Sequence, residues 1–328
     1  MKKKNLVVVV CLCLVLTLTG FSQAGNIKIA LDSPPDMEKS GTYVWAKTFS
    51  DDLLSKGMKV ELFPRESLGN EEEKLDQVSQ GLLEISCSDL AKAGQLEATI
   101  QGFSLPFLFD NMAHLDRVIA GTDIMEKVNT GLGKKGIRVL SLIPVGTFSG
   151  LANTKRQVKT PLDVKGLSIR ALDKAQAQYI NAWGASTVIV TWAEIYNALQ
   201  TGVANGYLNP AIVPVMFKHT EVLKYFSDIK VNAPLRVSIC SEQWYRGLNE
   251  KEKAVVADAV NKADMANRAW LAKMEKTDED SLKASGVNFY KNTPEEIAQF
   301  AELSRKEYSK IVPVEIVDLF LNAAKAKR

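Results

Sequence analysis

The chain has 328 residues, 46% of them hydrophobic and 24% charged, which is ordinary globular material with room for two compact domains. This composition excludes a collagen-like, disordered or low-complexity protein, and no internal repeat is visible. A formal charge of +3 makes no case for nucleic acid or a membrane surface as a partner.

The first five residues, Met1-Lys2-Lys3-Lys4-Asn5, are basic, residues 6–18 are apolar, and Ser22-Gln23-Ala24 supplies small residues for cleavage. These are the three parts of a secretory signal peptide, cut near Ala24-Gly25. The apolar run is short for a membrane anchor, and Val10 before Cys11 argues against a lipoprotein site. Three of the 41 Lys and Arg leave with this segment, so 38 remain against 38 Asp and Glu. Cys87 and Cys240 also remain. In an oxidising compartment they could pair, but a chain of this size does not need the bridge, and two separate buried thiols are favoured.

Strands and helices then alternate. Residues 27–31 alternate as a strand, and Val44, Trp45, Phe49 and Leu53 have the spacing of a helix over 42–55 that Gly57 closes. Residues 58–63 form a strand. Asn70 ahead of Glu71, Glu72 and Glu73 starts a helix, because its side chain and the acids suit the positive helix end. Residues 82–87, 137–143, 167–171 and 187–190 are further strands, with a helix over 173–183. Thr191 with Glu194 forms a capping box for the next helix, which runs into a strand ending at Asn209-Pro210. Proline cannot extend the ladder, so Asn209 is left at a strand end. Asn249 with Glu252 caps a helix unbroken until Gly286, roughly 35 residues and about 50 Å long, enough to brace two domains. Thr293-Pro294 opens another helix. The predicted fold class is α/β and two-lobed, each lobe a mostly parallel sheet flanked by helices, with ligands at carboxyl ends of strands.

Catalytic signatures are missing. There is no G-x-S-x-G, phosphate loop, H-E-x-x-H or paired-cysteine motif outside the signal. The only two histidines, His114 and His219, lack metal-spaced partners and read as surface or capping residues. No cofactor or metal is expected.

Several segments carry a resemblance. They are Ser67-Leu68-Gly69-Asn70-Glu71, Gln80-Gly81-Leu82-Leu83-Glu84, Leu105-Pro106-Phe107-Leu108, the run from Pro161 to Arg170, and the run from Thr191 to Pro210. Together they resemble the solute-binding proteins of tripartite ATP-independent periplasmic (TRAP) transporters, across nearly the whole exported chain. The resemblance implies a periplasmic two-lobed clamp that closes on a small carboxylate and passes it to TRAP membrane subunits. It implies one lobe of residues 25–145 and 235–274 and another of 146–234 and 275–328, in a protein expected to be a monomer and not an enzyme.

In the resemblance, Arg170 meets the ligand carboxylate, a role its planar, permanently charged fork suits. Asn209 is placed beside it and Trp192 is a pocket wall. Asp32, Glu71, Ser88, Asp89 and Lys92 are the first-lobe pocket positions. Two departures stand out. A second arginine common in the family is replaced by Phe148, and Asn205-Gly206-Tyr207-Leu208 stands where relatives often have acids and glutamine. One arginine fewer and Phe148 and Tyr207 gained predict a monocarboxylate with an apolar or aromatic body, or an amino acid whose ammonium meets Asp89 or Asp32. The alternatives are a binding protein of an ABC importer and an exported hydrolase.

Overall fold

Eleven strands divide between two sheets in the computed structural model, which describes residues 26–328; the expected signal peptide lies outside the described residues. The strands are β1 (Ile27–Ala30), β2 (Val60–Phe63), β3 (Ile85–Asp89), β4 (Ile137–Pro144), β5 (Gly150–Asn153) and β6 (Ser168–Ala171). They continue with β7 (Ser186–Ile189), β8 (Gly206–Asn209), β9 (Tyr225–Ser227), β10 (Leu235–Ser241) and β11 (Asn288–Tyr290). One sheet has the order β2-β1-β3-β10-β4 and the other β11-β9-β5-β8-β6-β7, with helices packed on them as a two-lobed α/β fold.

The sheets are less parallel than predicted. β10 runs antiparallel to both β3 and β4, and β5 runs antiparallel to both β8 and β9. The reason is topological: each of these strands is entered from the opposite lobe, without the covering helix that makes a parallel return. The strands of the helix-covered units, β1 with β2 and β3, and β6 with β7 and β8, are parallel as expected. The predicted strand over 82–87 begins later, at Ile85, and Leu82 is exposed in the preceding turn.

Two connections between the lobes lie side by side. Val145 N–H donates to the Pro234 carbonyl at 3.0 Å, Ser149 N–H to Asn232 at 2.9 Å, and Val231 N–H to Ser149 at 2.8 Å. The predicted brace is a helix of 35 residues, Glu250–Ala284, with the Asn249–Glu252 capping box in place. It packs on the helix Gly41–Ser55 and β4 at one end and on β11 at the other. Buried Asn267 in its middle donates to the Gly41 and Pro144 carbonyls, both at 3.0 Å, so the brace is bonded to the end of β4 where the first connection begins.

Two expectations change and a third holds. Residues 275–328 do not all join the second lobe: the helix Val314–Ala326 packs back on the first, with Phe320 edge-on to Phe103 at 4.8 Å. Both histidines are buried instead of exposed. His114 Nδ1 accepts from the Asp110 N–H at 3.2 Å, which leaves Nε2 to donate to the Ala324 carbonyl at 2.8 Å and pin that last helix. Cys87 and Cys240 are separate buried thiols, the favoured alternative.

Asp278, on the second-lobe part of the brace, is buried and accepts a hydrogen bond from Thr147 Oγ1 in the first connection at 3.1 Å. Its other oxygen has no partner. Burial lifts this carboxyl to about 7, with Asp228 and Glu275 adding to the rise and Thr147 opposing it. A carboxyl raised above its unfolded value stabilises the fold only while protonated, so its contribution falls as pH climbs from the unfolded value towards 7. Asp278→Asn keeps the Thr147 acceptor without the charge. Thermal melts should show the variant gaining on the parent between about pH 4 and about pH 7, and a gap independent of pH would contradict this. Phe320→Ala should cost about 3–5 kcal/mol in chemical denaturation, the scale of a buried Phe lost from a packed core.

Candidate functional site

A cavity of about 670 Å³ opens between the two sheets, lined from both, within the size range of small-molecule sites. Its second-lobe wall is built from the ends of β6 and β8. In β6, Ile169 and Ala171 enter the hydrophobic core of this lobe, so the alternating Arg170 faces away from that core and lines the cavity. Arg170 is only 5% exposed. Its Nε donates to the Val190 carbonyl at 3.1 Å, and its guanidinium lies 5.9 Å from the Trp192 ring centroid. No ion pair is made to it among the described residues. Burial lowers its pKa to about 10; Asp89 across the cleft opposes that shift and Arg236 adds to it.

Trp192 owes its position to the predicted capping box: Glu194 accepts from Thr191 N–H at 3.1 Å and from Thr191 Oγ1 at 2.7 Å. The helix Ile195–Thr201 ends on Gly202 at φ 78°, a left-handed conformation that glycine adopts without strain, and the chain returns as β8. Asn209 ends β8 before Pro210 and lines the cavity, with no side-chain hydrogen bond among the described residues. Arg170 and Asn209 therefore present open donors to one space. Asp173, two residues after β6, caps the helix Lys174–Ala182 by accepting from Gln176 N–H at 2.7 Å. Burial raises its pKa, and Asp89 adds to that rise.

The first-lobe wall is centred on a residue the sequence reading missed. Arg236 of β10 places Nε 2.9 Å from Asp32 Oδ2 and Nη1 2.9 Å from Asp89 Oδ2. Burial opposes its charge, but Asp89 and Asp32 outweigh burial and hold its pKa above the ordinary arginine value. Glu71 accepts from the Asp89 N–H at 3.1 Å and pairs with the buried Lys74 at 3.2 Å. Lys92 lines the cavity too, paired with Glu72 at 2.5 Å. The signal for Arg236 was available: 235–241 alternates with β-branched residues after Pro234, as a strand should.

The sequence-predicted residues divide clearly. Arg170, Asn209, Trp192, Asp32, Glu71, Asp89 and Lys92 line the cavity. Phe148, Ser88 and Tyr207 do not. Phe148 packs against the first-lobe core, while Ser149 beside it reaches the cavity. Ser88 is buried within the first sheet, 2.9 Å from Ser86 Oγ. Tyr207 pairs with Arg170 on the same face of the sheet but is fully buried against Trp192, with its hydroxyl 2.9 Å from His219 Nδ1. Burial depresses that histidine to about 4, so it stays neutral near neutral pH. The cleft also holds three arginines, not one: Arg170, Arg236 and Arg65, the last paired with Glu66 at 2.8 Å.

Residues 32–313 match the family described as bacterial extracellular solute-binding protein, family 7. The 2,3-diketo-L-gulonate-binding periplasmic protein of Escherichia coli is 26% identical over 85% of this chain and 83% of its own length. The C4-dicarboxylate-binding periplasmic protein of Rhodobacter capsulatus is 27% identical over 89% of this chain and 88% of its own. A TRAP periplasmic solute-binding protein of Chromohalobacter salexigens, crystallised with D-glucuronate, superposes with a TM-score of 0.84 at 21% identity, over 92% of this chain and 100% of that one. With its family match spanning most of the sequence, two sheets around one cleft and a buried arginine at its centre, this chain belongs to the family-7 solute-binding proteins of TRAP transporters.

Proposed function

We propose that this chain is exported to the periplasm by its N-terminal segment and there captures a small monocarboxylate, acting as a monomer that delivers it to TRAP membrane subunits. The observation that carries the reading is Arg170: a buried guanidinium with one hydrogen bond to backbone and no ion-pair partner, facing a cavity. A carboxylate is the group such a site accommodates, since it supplies the missing charge and accepts two parallel hydrogen bonds. Asn209 adds an amide beside it. Ligand contacts from both walls favour closure, with the lobes taken as 26–145 with 235–274 and 146–234 with 275–313, and the last helix riding on the first.

The body of the ligand meets Trp192, Phe217 and Leu208, an apolar face on the second lobe. Support for an aromatic body is weaker than the sequence suggested, because Phe148 and Tyr207 lie outside the lining. An ammonium on Asp89 or Asp32 is disfavoured by Arg236, which occupies both.

A thermal-shift screen of the mature protein against carboxylates tests the reading. An acid present at a hundred times its dissociation constant should stabilise the fold by about 2.7 kcal/mol. Arg170→Ala should weaken the binding of any hit by about 3–5 kcal/mol, the scale for removing one partner of a buried charged pair. Calorimetry showing unchanged affinity in that variant would remove Arg170 from the site.

A further inference from the structure

Arg236 is not equivalent to Arg170. Among the described residues Arg170 has no carboxylate partner, whereas Arg236 pairs with two aspartates from separate elements, Asp32 after β1 and Asp89 at the end of β3. The neighbouring cations are also spoken for, Lys74 by Glu71 and Lys92 by Glu72. With Arg65 paired to Glu66 at 2.8 Å, the first-lobe wall has four basic groups (Arg65, Lys74, Lys92 and Arg236) against five acids (Asp32, Glu66, Glu71, Glu72 and Asp89). The positive charge of the cleft that lacks a partner is concentrated at Arg170.

We propose that Arg236, locked between Asp32 and Asp89, is a specificity-determining residue that makes the first-lobe wall refuse a second carboxylate and accept neutral hydroxyl groups. This rests on the carboxylate reading of Arg170 and names the ligand class more closely, as a hydroxylated acid carrying a single negative charge.

The physical argument is one of vacant partners. A second ligand carboxylate reaching Arg236 would have to displace Asp89 or Asp32, or sit against them as a like charge in a site with little water to screen it. A hydroxyl meets no such conflict, because it both donates and accepts. Only Nε and Nη1 of Arg236 are engaged by the aspartates, which leaves guanidinium N–H groups for a hydroxyl oxygen. Backbone structure supports the arrangement independently of any ligand. Asp89 also caps the helix Leu90–Leu96 by accepting from Ala91 N–H at 2.9 Å, so the acid that neutralises Arg236 is held in place from both sides.

The test compares matched acids that differ by one carboxylate for one CH2OH: 4-hydroxybutyrate with succinate, and D-gluconate with D-glucarate. Calorimetry on the mature protein should show each monoacid bound at least tenfold more tightly than its diacid. Asp89→Asn retains the helix cap but removes one negative charge, and should narrow or reverse that ratio by at least tenfold. Arg236→Gln leaves the aspartates unpaired, so it should weaken both acids without narrowing the ratio. A purely structural role for the triad would move affinities or stability together and leave the ratio alone. A parent protein that binds the diacids as well as the monoacids, or that binds neither monoacid, overturns the inference, as does an Asp89→Asn ratio equal to the parent's. The wider acid screen and Arg170→Ala decide separately whether the reading beneath it stands.

Discussion

A full positive charge taken out of water without a compensating anion is costly, and in this fold the cost falls on Arg170. Its stem is fixed by β6 between β7 and β8, its Nε is tied to the Val190 carbonyl, and Trp192 covers one side. These contacts determine where the guanidinium points but do not neutralise it. Its pKa, pushed down to about 10 by burial, expresses the same imbalance in another form. In the proposed function a ligand carboxylate removes the imbalance, and charge compensation at Arg170 is the source of binding energy.

The rest of the architecture follows from having to bring a second wall to that charge. Two backbone connections hydrogen-bonded side by side, with Asn267 of the bracing helix fastened to the end of β4, join the lobes. The connections also explain the antiparallel strands β5 and β10, each entered directly from the other lobe. β10 is the more consequential of the two, since its second residue is Arg236. The crossover that links the lobes therefore also supplies the polar centre of the first-lobe wall.

Local chemistry made much of this legible in the sequence. The capping boxes at Thr191–Glu194 and Asn249–Glu252, the terminating Pro210, and the 35-residue brace depend on residues close together in the chain, and all appear as expected. Asn209 was placed at a strand end by the proline after it, whereas Arg170 was singled out by the family resemblance; both line the cavity. What failed depends on long-range pairing. Tyr207 and Phe148 were expected at the ligand, but Tyr207 is buried against Trp192 and Phe148 packs on the first-lobe core. Arg236 was overlooked because its meaning comes from Asp32 and Asp89, about 204 and 147 residues earlier, brought together only by the sheet order β1-β3-β10. His114 is buried for a similar reason, since its partner carbonyl belongs to Ala324.

The most direct test of the central claim is a crystal structure of the mature protein with a bound acid. The account predicts the ligand carboxylate on the free guanidinium nitrogens of Arg170, with the Asn209 amide on the same group and Arg236 still held by Asp32 and Asp89. A carboxylate seated on Arg236 instead, with Arg170 left unpaired, would contradict it.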